Sequence, residues 1–547
     1  MTAVSPISRA WQLFRPQRRD LWVVAVYAAG SGLLSLAIPV GVQSMVNTVG
    51  FGQSLQPVVV LGFLVLVGLG FSAALRGFQT FAVEILQQQL FARAALRTAE
   101  RLPRLRSDTV DAHHAPELVN RFFEILTVQK SAATLLLDGV ALVLLTVVGL
   151  GVMAAYHPLL LGFGVVLALS VVAVLWGGGR RGLRTAVAES IAKYRLAAWL
   201  GELARHQATF KSAAGQRLAI GRAEGLIRGW VTARREHFAV LLRQLVGTLG
   251  LQVLTSAGLL VVGGELVLQR QLTLGQLVAA ELIVSAVMAG VAKSAKYVEA
   301  LYDLLAAADK LGVLDDLPIE PQRTAQARGP DHPLAVTARG LQYGYARQKR
   351  PVFSSLDLDI QAGEHVVVLG ARGSGKSTLA ELLFAARKPD EGTLDLDGID
   401  VRDWPLDELR RRVALARPAE LFAGTVAENL DLGQGHRVED MRAVLEAVGL
   451  WEEVARRADG LDTVITTHGA SLSRLEAERL VLARALLARP GLLLVDGLQP
   501  LSPAEWSTLD AWWGGSRPTI LWFANEAGTA AVTPLARVLT LGAEVSR

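Results

Sequence analysis

The sequence predicts an all-α transmembrane domain of six spans with long cytoplasmic helix extensions, followed by an α/β domain. Three observations carry this. Hydrophobic residues make up 51% of the 547-residue chain and charged residues only 19%, too apolar for a soluble multidomain enzyme and incompatible with disorder. Long uncharged runs concentrate before Leu317. Beyond it, short apolar runs alternate with helical patterns around one glycine-rich loop. Cysteine is absent, which excludes disulfides, thiolate metal sites and cysteine nucleophiles. A net charge of +5, from 55 Lys and Arg against 50 Asp and Glu, gives no footprint for nucleic acid, and none is expected as a partner.

The spans follow from reach. Leu21 to Leu75 contains no Asp, Glu, Lys or Arg, and at about 1.5 Å per residue it crosses a hydrocarbon layer of about 30 Å more than once. Spans one and two are placed near Leu21–Asn47 and Pro57–Phe78. A second uncharged run, Gly139 to Gly179, breaks at Tyr156-His157-Pro158 into spans three and four, because proline cannot continue a helix. Gln244 to Gly264 and Leu272 to Ala292 supply spans five and six, joined by a turn at Gln269–Gln271. Arg9, Arg15, Arg18 and Arg19 precede span one, and arginines crowd the segments after spans two and four. The positive-inside rule then places both termini in the cytoplasm of a multi-pass protein of the cell (inner) membrane. Glu281, near the middle of span six, is either a cavity-lining group or a carboxylate satisfied by a serine or backbone neighbour. Asp138 is a weaker candidate of the same kind.

The α/β half is read as residues 335–547, after a transmembrane domain of 1–316 and a linker of 317–334. Its decisive segment is Gly370-Ala371-Arg372-Gly373-Ser374-Gly375-Lys376-Ser377, set between the apolar run His365–Leu369 and a helical stretch that begins at Thr378. Such a loop curls its N–H groups toward phosphates, Lys376 neutralises β- and γ-oxygens, and Ser377 ligates Mg²⁺. ATP and Mg²⁺ are the expected ligands. The run Gly491–Val495 ends in Asp496, a carboxylate at a buried strand end, placed either to hold the Mg²⁺ shell or to cap the next segment.

Six spans followed by this loop resemble an ATP-binding cassette (ABC) half-transporter of the exporter type. The stretch Glu117-Leu118-Val119-Asn120-Arg121-Phe122-Phe123 to Lys130, with Leu135-Leu136-Leu137-Asp138-Gly139 after it, is similar to type I secretion ABC proteins. The resemblance implies that Tyr345 stacks on adenine and that the segments His113–Glu117 and His206–Lys211 are the helices that touch nucleotide domains. It also implies a second half-transporter chain, as homodimer or heterodimer, within a lipid bilayer.

Departures from the family pattern are equally specific. Arg417 stands for the glutamine before Leu421-Phe422, Gly497 for the carboxylate after Asp496, and Asn525 for the switch histidine. Leu472-Ser473-Arg474-Leu475-Glu476 replaces the signature LSGGQ, Pro503 takes the D-loop aspartate position, and Thr467 the acidic position ahead of the signature. Loss of a general base removes about 10² to 10⁴ in rate, so hydrolysis is expected to be weak or partner-dependent while binding survives. Ser473 and Glu476 keep the spacing of a capping box, and Ser473 remains a candidate nucleotide contact. Arg474 is a phosphate contact or a solvated residue. The sequence thus reads as an ABC exporter subunit that binds ATP and couples cassette dimerisation to transport. The alternative is a non-transporting pseudo-ATPase subunit that regulates or scaffolds a membrane complex, with a periplasmic adaptor as partner.

Overall fold

A computed structural model of the chain describes residues 5–50, 55–112, 115–321, 332–346, 350–418, 420–466, 471–515, 517–524 and 536–541. The chain divides into two compact units, one of residues 1–105 and 109–318, the other of residues 106–108 and 319–547. Among the described residues the first unit is built of helices joined by short turns. Five helical stretches among the described residues are long and apolar enough to cross a membrane: Pro6–Val49, Gln56–Arg104, Glu124–Tyr156, Ala213–Leu268 and Leu274–Ala292. The expected fourth span corresponds to a shorter apolar segment, Pro158–Val174, within a 48-residue helix, Pro158–Arg205. The break at His157 falls where sequence placed it. The His157 ring accepts a hydrogen bond from the Leu159 N–H at 3.1 Å, and Pro158 occupies a first-turn position where its missing N–H costs nothing.

Helices in this unit approach through small residues, as lipid-embedded helices must when apolar burial supplies no drive between them. A Cβ on Gly149 would lie 2.7 Å from Ile283, and one on Gly290 would lie 2.4 Å from Leu142. Val253, Leu254 and Val261 stay exposed on the outer face, in keeping with contact to lipid. Several polar groups inside are paired across helices: Ser31 and Ser72 hydroxyls lie 3.3 Å apart, and Gln79 donates to the Leu136 carbonyl at 3.0 Å. A π-helical turn spans Leu135–Gly139, the motif singled out in the sequence, and its Asp138 pairs with Lys296 at 3.6 Å. Glu281 accepts from Ser285 at 3.3 Å, while its second oxygen is buried with no hydrogen-bond partner among the described residues.

The second unit carries two main sheets. β1 (Val336–Tyr343), β2 (Phe353–Ile360), β4 (Glu391–Leu396) and β5 (Ile399–Asp400) form an antiparallel sheet ordered β2-β1-β4-β5. The second sheet, ordered β11-β3-β10-β9-β6, is parallel and built from β3 (His365–Leu369), β6 (Val413–Ala416), β9 (Leu492–Asp496), β10 (Thr519–Ala524) and β11 (Arg537–Thr540). Its central strands read as unbroken apolar runs because both faces are covered, and Leu492 to Val495 and Ile520 to Phe523 are buried. A short pair, β7 (Gly424–Thr425) with β8 (Val464–Ile465), completes the unit.

In the helical unit, Glu124 and Lys310 meet at 3.0 Å with side chains 4% and 16% exposed. Lys310 also donates to Ser190 and lies 4.0 Å from the Tyr194 ring centroid. Burial pulls the ammonium below the ordinary lysine value, opposed by the adjacent Glu124 carboxylate. A buried charge left without its partner costs about 3–5 kcal/mol, whereas replacing both partners by apolar groups is close to neutral. Lys310→Met is therefore expected to lower the thermal unfolding midpoint of the detergent-solubilised chain sharply, and Glu124→Leu with Lys310→Met to recover most of the loss. Equal midpoints for the single and double variants would contradict this account.

Candidate nucleotide-binding site

The glycine-rich loop leaves the end of β3 and enters the helix Lys376–Leu383. Gly375 caps that helix with φ 93°, and a Cβ there would lie 2.6 Å from Phe353 and Val352 side-chain carbons, so only glycine fits. The loop wraps the Lys376 ammonium, which donates to the carbonyls of Gly370 at 2.6 Å and Ala371 at 2.9 Å and approaches the Ser374 hydroxyl at 3.5 Å. Lys376 itself lines a cleft of about 700 Å³ whose walls also include Tyr345, Gly373, Ser377, Thr378, Asp496 and Gly497. The Tyr345 hydroxyl lies 3.0 Å from Thr378 Oγ1, and Arg387 stands 4.8 Å from the Tyr345 ring centroid. The structure thus gathers Tyr345, Gly373, Gly375, Lys376, Ser377, Thr378 and Asp496 around one cleft, while Gly370 and Ser374 are not among its lining residues.

Asp496 ends β9 beside that loop. Ser377 donates from its hydroxyl to Asp496 Oδ1 at 3.1 Å, and these hard oxygen donors fit Mg²⁺ in chemistry. The other carboxylate oxygen is taken by Arg417, whose Nε donates to Asp496 Oδ2 at 3.0 Å. Arg417 also donates to Glu381 Oε1 and to the Ser377 carbonyl, each at 3.0 Å. Glu381 was not singled out in the sequence. Its signal was the four-residue spacing from Ser377, which puts both on one face of the loop's helix; Arg387 pairs with its second oxygen. Nearby Glu420 is pushed above the ordinary carboxylate range by burial, partly offset by Arg484 and Arg417.

Gly497 has φ 77°, a backbone state that side-chain-bearing residues adopt at a cost. The position after Asp496 therefore lacks a carboxylate and also holds a conformation that disfavours one. Ser473 caps the helix Arg474–Leu487, its hydroxyl accepting from the Glu476 N–H at 3.2 Å while Glu476 accepts from the Ser473 N–H at 2.6 Å. The capping box expected from the spacing is formed. Ser473 is not among the residues lining the cleft. Arg474 is 77% exposed and pairs with the buried Glu478 at 2.8 Å; Glu478 in turn accepts from the Gln499 N–H at 2.8 Å, tying this helix to the segment after Asp496. Pro503 opens the helix Pro503–Trp513 behind a Ser502 cap. The elbow His206–Lys211 contains a four-residue helix, Gln207–Phe210. Asn525, Thr467 and His113 lie outside the described residues.

Two family models match the chain: an ABC transporter transmembrane region over residues 21–291 and an ABC transporter domain over residues 353–498. An ATP-dependent lipid A-core flippase of Chromobacterium violaceum is 38% identical over 194 residues, 35% of this chain and 33% of the flippase. The same-named protein of Thiobacillus denitrificans is 35% identical over 35% of this chain and 34% of its own length. The match thus spans about a third of these relatives, 33% and 34%. The ABC multidrug transporter mdr2 of Aspergillus fumigatus is 26% identical over 91% of this chain and 65% of its own. A bacterial Atm1-family ABC exporter solved with ATP bound superposes with a TM-score of 0.83 at 20% identity, covering 96% of this chain and 93% of that one. A helical unit with membrane-crossing stretches followed by a P-loop α/β unit is the architecture of a membrane-embedded ABC protein. The chain belongs to the ABC transporters, as a multi-pass membrane protein with its nucleotide-binding cassette on the cytoplasmic side.

Because φ at Gly497 is positive with no atom nearer than 3.8 Å to an added Cβ, Gly497→Ala is expected to cost about 1–2 kcal/mol through backbone strain alone. Chemical denaturation of the full chain checks this. An unchanged midpoint would show that the segment relaxes freely.

Proposed function

We propose that this chain is a six-span half-exporter that binds ATP and couples nucleotide-driven pairing of its cassette with that of a second chain to substrate movement across the bilayer. In this reading residues 1–316 are the transmembrane domain, with the fourth span inside Pro158–Arg205, 317–334 a linker and 335–547 the cassette. The observation that carries it is the convergence of the Lys376 loop, the Ser377–Asp496 oxygen pair and Tyr345 on one cleft. Loop N–H groups and the helix N-terminus attract phosphate oxygens. Lys376 exchanges its loop carbonyls for β- and γ-oxygens, and the Tyr345 ring takes the base. Mg²⁺, when bound, would be held by Ser377 and Asp496 and would neutralise phosphate charge. The names of the relatives, ATP-dependent flippases and an exporter solved with ATP, support the nucleotide assignment.

Turnover is the weak part of this machine. Gly497 offers no group to orient or deprotonate water, and Arg417 and Asn525 replace residues that would assist. Ser473 retains the helix cap through which a partner's nucleotide could be met, so a partner with its own base would restore one slow site, in a heterodimer rather than a homodimer.

Nucleotide titration and turnover of the purified chain test this. Lys376→Ala is expected to weaken ATP binding at least about tenfold, and the unaltered chain alone is expected to hydrolyse ATP well below roughly 1 s⁻¹. Equal affinities for the two proteins would remove the loop as the binding site. Turnover at or above that rate, abolished by Lys376→Ala, would overturn the weak-hydrolysis reading. Binding without transport by the assembled complex would favour a regulatory subunit.

A further inference from the structure

Both oxygens of Asp496 are already engaged by the protein, one by the Ser377 hydroxyl and one by the Arg417 guanidinium. The guanidinium is fixed, not loosely apposed. Its three nitrogens reach three different acceptors, Asp496 Oδ2, Glu381 Oε1 and the Ser377 carbonyl, each at 3.0 Å, and the side chain is only 21% exposed. Two of these acceptors belong to the helix that the phosphate loop opens, and the third to the strand end beside it. An arginine fork suits such a set because it is planar, always charged and presents donors in fixed directions.

The charge around the cleft explains what this arrangement does. A carboxylate at Asp496 facing a triphosphate is a like-charge encounter, and a divalent cation ordinarily relieves it. A neutral side chain at position 417 would leave that task to the metal. Here a positive charge is covalently present at the carboxylate, held by Glu381 from behind. Arg387 balances Glu381 in turn, so Arg417 is not consumed by Glu381 alone.

We propose that Arg417 is an internal cation of the nucleotide site, so that ATP binds this cassette with little dependence on divalent metal. Mg²⁺ and Arg417 compete for Asp496, and the metal adds affinity only to the extent that it displaces the guanidinium. The proposal rests on the assignment of the Lys376 loop as the ATP site. Arg417 acts through Asp496, as a positioning and charge-balancing residue.

The test measures ATP affinity of the full-length purified chain by calorimetry, with Mg²⁺ and with excess EDTA. The unaltered protein is expected to lose less than about tenfold in affinity when metal is removed. Arg417→Gln is expected to bind ATP in Mg²⁺ but to lose more than about tenfold in EDTA, while Arg417→Lys retains most of the metal independence. Mn²⁺ followed by electron paramagnetic resonance in the presence of ATP should bind Arg417→Gln more tightly than the unaltered chain. A greater than tenfold loss in EDTA by the unaltered protein overturns the proposal without need of any variant. So does an Arg417→Gln protein as indifferent to EDTA as its parent. If Lys376→Ala leaves ATP binding unchanged in both conditions, it is the site assignment that fails. Binding that requires Lys376 yet vanishes in EDTA rejects only the role given to Arg417.

Discussion

Strand β10 lies between β3 and β9, and its parallel pairing with both is the constraint from which the site follows. Ala524 pairs with Leu369, the residue before the phosphate loop, and Phe523 pairs with Asp496. Two segments more than a hundred residues apart in the chain therefore end at one edge of one sheet. The register is held by burial on both faces, with Ile520, Leu521, Trp522 and Phe523 all at most 2% exposed, so a slip would expose apolar side chains that have no second place to go. Ligand sites in parallel α/β sheets form at the carboxyl ends of the strands for this reason. The Ser377–Asp496 hydrogen bond is its local consequence.

In the proposed reading, the cassette at the strand ends keeps the parts that would bind phosphate and lacks those that would handle water. The loop, its helix and the Asp496 carboxylate are in place. The next residue is glycine in a left-handed conformation, so the altered chemistry is built into the backbone as well as the side chain. Arg417 brings positive charge to a carboxylate at close range, where partial burial makes such pairs stronger than surface ion pairs. The signature-position helix shows the same division: its capping box is intact, and Arg474 has turned outward onto Glu478.

The helical unit obeys a different solvent. Its outer apolar side chains are unburied by protein, its helices approach through glycines such as Gly149 and Gly290, and polar groups such as Ser31, Ser72 and Gln79 pair across helices because hydrocarbon offers them nothing. Where the helices carry buried charge, at Glu124 and Lys310, the pair is closed by Ser190 and Tyr194.

Much of this was legible in one dimension because the relevant physics is local. Uncharged runs have to be spans, Pro158 has to start a helix, His365–Leu369 followed by glycines and Lys376 has to be a strand and a phosphate loop, and Ser473 with Glu476 has to cap. Missing residues, such as a carboxylate after Asp496, are equally visible by their absence. The span count is a different matter, since the segment expected as span four lies within a 48-residue helix and hydropathy alone does not mark where the membrane ends. Arg417 read only as a lost glutamine. That its guanidinium bridges Asp496, Glu381 and Ser377 depends on β6 and β9 being neighbours, which brings Arg417 to the helix face that Ser377 and Glu381 share. Charge pairing between distant segments is decided by tertiary register, because Coulomb energy depends on ångströms in space rather than positions in sequence.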